Sequence, residues 1–74
     1  MTYRQKLLAE LKTIATANAD PLAFARKMGI HNTPEYQRGF ARGWIEQCVK
    51  NAVMYGEILG RQAEAAQMPL EVHA

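Results

Sequence analysis

The fold is decided by the stretch from Thr33 to Ala66, TPEYQRGFARGWIEQCVKNAVMYGEILGRQAEAA. Thr33 is a good N-cap residue, and Pro34 follows at the first helical position, where its missing N–H costs nothing. No second proline interrupts the stretch, and Pro69 favours an end soon after it. The pattern therefore predicts a third helix over residues 34–67, roughly 50 Å long at about 1.5 Å per residue.

Apolar residues cover more than half of the circumference of this predicted helix, more than two short neighbouring helices can bury. We therefore expect a homodimer that forms through the long helix. The predicted dimer interface consists of Trp44, Cys48, Val49, Asn51, Val53, Tyr55 and Leu59. A polar residue such as Asn51 within paired helices can fix their register, and the alternative is that it caps a wet gap at the rim.

Four glycines lie inside the same helix, in the pairs Gly39-x-x-x-Gly43 and Gly56-x-x-x-Gly60. Glycine costs about 1 kcal/mol relative to alanine in a helix interior. The spacing therefore indicates close helix contacts, a kink or a bound partner.

The sequence pattern of the N-terminal half predicts two shorter helices. A capping box of Thr2 and Gln5 starts the first helix, over residues 3–17. We expect the core to contain its apolar stripe, Leu7, Leu8, Leu11, Ile14 and Ala15. Asp20 and Pro21 start a second helix over residues 21–28, and Gly29 ends it. The sequence thus predicts an all-α fold with one domain over residues 1–68 and a flexible tail over 69–74.

Composition excludes several classes of protein. The 74-residue chain has a net charge of only +2, with positive and negative residues interspersed, which argues against a strongly basic nucleic-acid binder. A single cysteine permits no internal disulfide, so we expect a cytoplasmic protein. The N-terminus does not have a signal-peptide pattern, and no apolar run is long enough to span a membrane.

Catalytic signals are scarce. The sequence contains none of the HExxH, CxxC, GxSxG or glycine-rich phosphate-binding patterns. Cys48 has no histidine nearby in sequence, since His31 lies 17 residues before it. We therefore expect no enzymatic activity, no cofactor and no bound metal.

The segment Gly39-Phe40-Ala41-Arg42-Gly43-Trp44 resembles the glycine and aromatic helix signatures of ribosome modulation factor and of small phage-encoded proteins. The resemblance covers six of the 74 residues. We carry over no function and no residue role from it.

The sequence favours a small non-enzymatic protein–protein interaction module, an adaptor or inhibitor that binds a larger cellular protein as a homodimer. The predicted partner-binding residues are His31, Asn32, Tyr36, Arg38 and Arg42.

Two alternatives remain. One is a dimeric regulator resembling a helix-turn-helix protein, which would bind nucleic acid through a basic edge of Arg26, Lys27, Arg38 and Arg42. Glu35 and Glu46 lie among these residues and would repel phosphates. The other alternative is a structural subunit of a larger assembly.

Overall fold

The computed structural model contains three α-helices in the order predicted: α1, Tyr3–Ala19; α2, Pro21–Lys27; and α3, Pro34–His73. The structure describes residues 1–73, with side chains for residues 1–66 only. Over these residues the all-α prediction is confirmed. Two predictions, a helix end near residue 67 and a flexible tail over 69–74, fall outside the residues whose side chains are described.

Both long helices begin at the threonines that the sequence indicates. At α1, the Gln5 N–H donates to Thr2 Oγ1 at 3.1 Å, and the Thr2 N–H donates to Gln5 Oε1 at 2.9 Å. The capping box is therefore complete. At α3, the Tyr36 N–H donates to Thr33 Oγ1 at 3.3 Å. These side chains satisfy backbone donors that a helix start leaves unpaired.

Asp20 joins α1 directly to α2. The helix α1 continues two residues beyond its predicted end and stops where Pro21 forces Asp20 out of the helical region, to φ −150° and ψ 87°. The Asp20 N–H donates to the Thr16 carbonyl oxygen at 3.4 Å, while Asp20 Oδ1 accepts from the Ala23 N–H at 3.1 Å. One residue thus caps both helices.

The helix α2 ends at Lys27 in a Schellman motif. The Gly29 N–H donates to the Arg26 carbonyl oxygen at 3.0 Å, and the Ile30 N–H donates to the Ala25 carbonyl oxygen at 2.9 Å. Gly29 has a φ of 87°, a left-handed conformation that favours glycine. The predicted turn is confirmed, with the helix one residue shorter than predicted.

The helices α1 and α3 lie antiparallel. The Tyr3 ring lies 6.0 Å from the Tyr55 ring, and seven residues further along α1, Glu10 Oε1 accepts from Asn51 Nδ2 at 3.4 Å. The molecule measures 61 × 18 × 16 Å, so its length is close to that of α3 alone, about 60 Å at 1.5 Å per residue. The C-terminal turns of α3 therefore project beyond α1.

The buried core is small. Among the residues with described side chains, the buried hydrophobic ones are Ala17, Phe24, Ala25, Ala41 and Cys48. Phe24 is the one large side chain in this set, and half-buried Phe40 and Ile45 pack against it and its alanine neighbours. Gln37 is also buried, and its Nε2 donates to the Ile30 carbonyl oxygen at 2.9 Å. This bond ties the start of α3 to the turn after α2.

The predicted core stripe of α1 is wrong for three of its residues, because Leu8, Leu11 and Ala15 are exposed. The side of α1 that faces α3 instead follows a heptad spacing, Tyr3, Leu7, Glu10, Ile14 and Ala17. One neighbouring helix covers only a narrow strip of α1, and the seven-residue α2 is too short to cover the rest.

Candidate interaction surfaces

One side of α3 carries three aromatic residues, of which Tyr36 and Trp44 are exposed, and we call it the aromatic side; it comprises Tyr36, Gly39, Phe40, Gly43 and Trp44. Trp44 is 40% exposed yet held in place by two rings. Its centroid lies 5.7 Å from that of Phe40, and it meets Phe24 edge-on at 6.2 Å. Such geometry suits aromatic pairs and gives Trp44 a defined position before any partner binds.

An open cleft lies on each side of Trp44. The first, of about 420 Å³, is lined by Phe40, Gly43 and the polar residues Glu10, Gln47 and Asn51 among others. The second, of about 450 Å³, lies where the three helices meet and has Phe24 and Met28 in its lining, together with Lys12 and Lys27. The aromatic side therefore combines a fixed indole ring with concave, largely apolar surroundings, which is typical of binding sites.

The four glycines of α3 are all exposed, and packing within the chain does not require them. A Cβ atom added at any of them would meet nothing within 4 Å. No close contact with another helix of the same chain therefore accounts for the glycines, and a close contact with a second molecule stays a prediction. The helix α3 runs through all four positions without a break. The open space beside each glycine leaves room for another molecule.

A second exposed apolar surface lies opposite the aromatic side, and we call it the leucine–valine side; its residues are Leu8, Leu11, Val49 and Val53. They are 57%, 47%, 44% and 56% exposed, respectively. Asn18 of α1 and Ile45 of α3 line a common cleft. Leu11 lies one heptad before Asn18, and Val49 lies one turn after Ile45, which places both on that side of the helical pair.

The residues predicted to form the dimer interface fall into two groups. Cys48 is buried, and Asn51, Tyr55 and Leu59 are half-buried on the side of α3 that faces α1. Asn51 donates to Glu10 and accepts from Gln47 Nε2 at 3.1 Å. The exposed members are Trp44, Val49 and Val53, on opposite sides of the pair. The dimer itself stays a prediction.

Cys48 and Glu10 form a polar contact inside the α1–α3 interface. Burial raises the pKa of the Cys48 thiol to about 11, and both the hydrogen bond to Glu10 and its negative charge act in the same direction. The thiol is therefore protonated at neutral pH, which makes it a poor nucleophile. Within the described residues, no cluster of His, Cys, Asp and Glu could hold a metal ion.

The predicted partner-binding residues are all exposed: His31, Asn32, Tyr36, Arg38 and Arg42. Arg38 and Arg42 line one cleft together. Tyr36 lies one turn before Phe40, on the aromatic side, so the set does not form one surface. The predicted basic edge is divided in the same way, because Lys27 lines the cleft next to Trp44 and the two arginines lie on the opposite side.

Sequence reasoning missed Leu8 and Leu11 as surface residues and Glu10 as an interface residue. The missing signal is the heptad series that starts at Tyr3 and includes Glu10, since it marks the narrow face that one helical neighbour covers. Following it would have left Leu8 and Leu11 outside the core.

Comparison of the chain with protein-family models, curated proteins and solved structures finds no match. In the part of the chain that the structure describes, no helix is both long enough and apolar enough to cross a bilayer. A proposal about function therefore depends on the chain's own surfaces.

Proposed function

We propose that this protein is a small non-enzymatic interaction module, an adaptor or inhibitor that acts as a homodimer and binds a larger protein through the aromatic side. Trp44 is the anchor, and Tyr36 and Phe40 extend the contact along α3. Of the predicted partner-binding residues, Tyr36 belongs to this surface.

The observation that carries the proposal is the setting of Trp44. Its ring is substantially exposed, is held by Phe24 and Phe40, and lies between two clefts. Tryptophan and tyrosine are enriched among the residues that contribute most to binding, and a preorganised ring loses little entropy when a partner docks. A partner segment can approach closely at Gly39 and Gly43, where a Cβ would meet nothing.

Nucleic-acid binding is the second candidate, and the division of its basic edge weighs against it. Arg38 and Arg42 share their cleft with Glu46, whereas Lys27 lies beside Trp44. Phosphate binding depends on closely grouped basic side chains, and its affinity falls steeply with salt. Retention on a DNA or RNA column that disappears with added salt would favour this candidate.

The test uses the immobilised chain to capture a partner in equimolar amount from an extract of its source cells. Gly43→Gln places a side chain in the first cleft without a clash at its Cβ, because no atom lies within 4 Å of that position. Gly60→Gln is the matched control, with the same change at another exposed glycine of α3.

We expect Gly43→Gln to reduce capture about tenfold or more, and Gly60→Gln to leave it unchanged. Circular dichroism should show both variants as helical as the wild type, since glutamine is a better helix former than glycine. Capture that is insensitive to Gly43→Gln, or the absence of any equimolar partner, would contradict the proposal.

A further inference from the structure

The leucine–valine side is made by two helices, and each contributes two exposed apolar residues. The contacts Tyr3–Tyr55 and Glu10–Asn51 set the register of the α1–α3 pair. Leu8 lies between Tyr3 and Glu10 along α1, which places it level with residues 51–55 of α3. Leu8 and Leu11 therefore lie on the α1 half of this side and Val49 and Val53 on the α3 half at a similar level, and they form one row on each helix.

Both rows have the spacing that paired helices use. In α1, Ala15 continues the row of Leu8 and Leu11, at i, i+3 and i+7. In α3, Gly56 continues the row of Val49 and Val53, at i, i+4 and i+7. Two such rows on an antiparallel helical pair match the contact surface of a four-helix bundle, in which knobs of one pair enter holes of the other.

We infer that a second copy of this chain covers the leucine–valine side, so that two α1–α3 pairs form a four-helix bundle. The inference depends on the homodimer part of the proposed function and identifies the surface that forms the dimer. It leaves the aromatic side of each copy free for the larger protein.

The small core indicates that the fold needs a permanently bound partner for its stability. Three of the five buried hydrophobic residues within the described part of the chain are alanines: Ala17, Ala25 and Ala41. A domain of this size with so little buried apolar volume usually needs a staple or oligomerisation to be stable. A second copy of the chain is present wherever the first is. Its own leucine–valine side provides two apolar rows that can cover the two rows of the first copy.

The exposed area argues in the same direction. The chain exposes 5687 Å², whereas a compact monomer of 8.3 kDa exposes about 4,600 Å². The difference of about 1,100 Å² is of the same order as the 800 Å² or so that each partner buries in a standard interface. Part of the difference belongs to the turns of α3 that project beyond α1.

The experiment compares dissociation constants by sedimentation equilibrium. The test variant is the double change Val49→Ala and Val53→Ala. Alanine is the better helix former, so a chain with no contact at these positions would keep or gain thermal stability. If they lie in the dimer interface, the dissociation constant rises about tenfold or more, and the melting temperature falls and depends on protein concentration.

The control is Met54→Ala, which changes a similarly exposed apolar residue next to Val53 but, five helical turns after Tyr36, on the same side of α3 as that residue. We expect it to leave the dissociation constant unchanged. If the wild type dimerises and both variants behave alike, the dimer forms through another surface and the inference is wrong. If the wild type is a monomer, both the inference and the homodimer part of the proposed function are wrong, whereas capture of the larger protein is tested separately.

Discussion

Phe24→Ala is the most informative change to the core, because Phe24 is the one large hydrophobic side chain buried there among residues 1–66. It connects α2 to Ala17 of α1, Ala41 of α3 and the Trp44 ring. Truncating a buried phenylalanine to alanine costs about 3–5 kcal/mol. The lower half of this range applies, because the open cleft beside Phe24 lets water or neighbouring side chains fill the space.

A core of this size provides only a few kcal/mol of total stability, so a loss of about 3 kcal/mol should leave α2 detached or much of the chain unfolded. Trp44 is the only tryptophan and contacts Phe24, so its fluorescence reports the change directly. Urea unfolding should show a sharply lower midpoint for Phe24→Ala. Met28→Ala, an exposed change at the end of the same helix, should cost less than about 1 kcal/mol. A Phe24→Ala midpoint equal to that of Met28→Ala would refute this description of the core.

Three further changes test individual contacts. The folded state raises the pKa of the Cys48 thiol to about 11. Its contribution to the free energy of unfolding is therefore fully present below the unfolded pKa and falls as the pH rises, by about 1 kcal/mol at about pH 10. Cys48→Ala should remove this contribution to the loss of stability at alkaline pH, measured by urea unfolding. Gln37→Ala leaves the Ile30 carbonyl oxygen without its partner and should cost about 1–3 kcal/mol, and a loss near zero would mean that water replaces the bond. Gly39→Ala meets no atom within 4 Å, so thermal unfolding should show a gain of about 1 kcal/mol, and a loss would show that the position is constrained.

The helix boundaries could be predicted because their causes are local. Thr2, Asp20 and Thr33 cap through atoms within three residues, and Gly29 ends α2 through bonds within five residues. Such signals require no knowledge of the tertiary structure. Within residues 1–66 the largest boundary difference, two residues at the end of α1, also has a local cause, since the helix continues until Pro21 stops it.

Side-chain burial was harder to predict than the helix boundaries, because an apolar stripe does not indicate how much of its width a neighbouring helix will cover. The stripe of α1 was expected to be buried as a whole, but α3 covers only the series through Glu10 and Ala17. Leu8 and Leu11 therefore stayed exposed. The contact between Glu10 and Asn51 joins residues 41 positions apart, and no local pattern specifies such a pairing.

The long third helix was predicted, as was the excess of apolar surface that accompanies it. Which residues of this apolar surface pack within the chain and which stay exposed was predicted only in part. Cys48 and Tyr55 face α1 within the chain, whereas Val49 and Val53 remain exposed. The glycines were expected to mark close helix contacts, a kink or a bound partner, and the structure shows that a Cβ at each would meet nothing within 4 Å.

The most direct test of the account is the molar mass of the wild-type chain in solution, measured by light scattering from about 1 to 100 μM, the range in which many dimers dissociate. The account predicts twice the 8.3 kDa of one chain at the upper concentrations, with dissociation on dilution if the dimer is weak. A mass of one chain throughout the range would contradict it, and the leucine–valine side would then be exposed in the free protein.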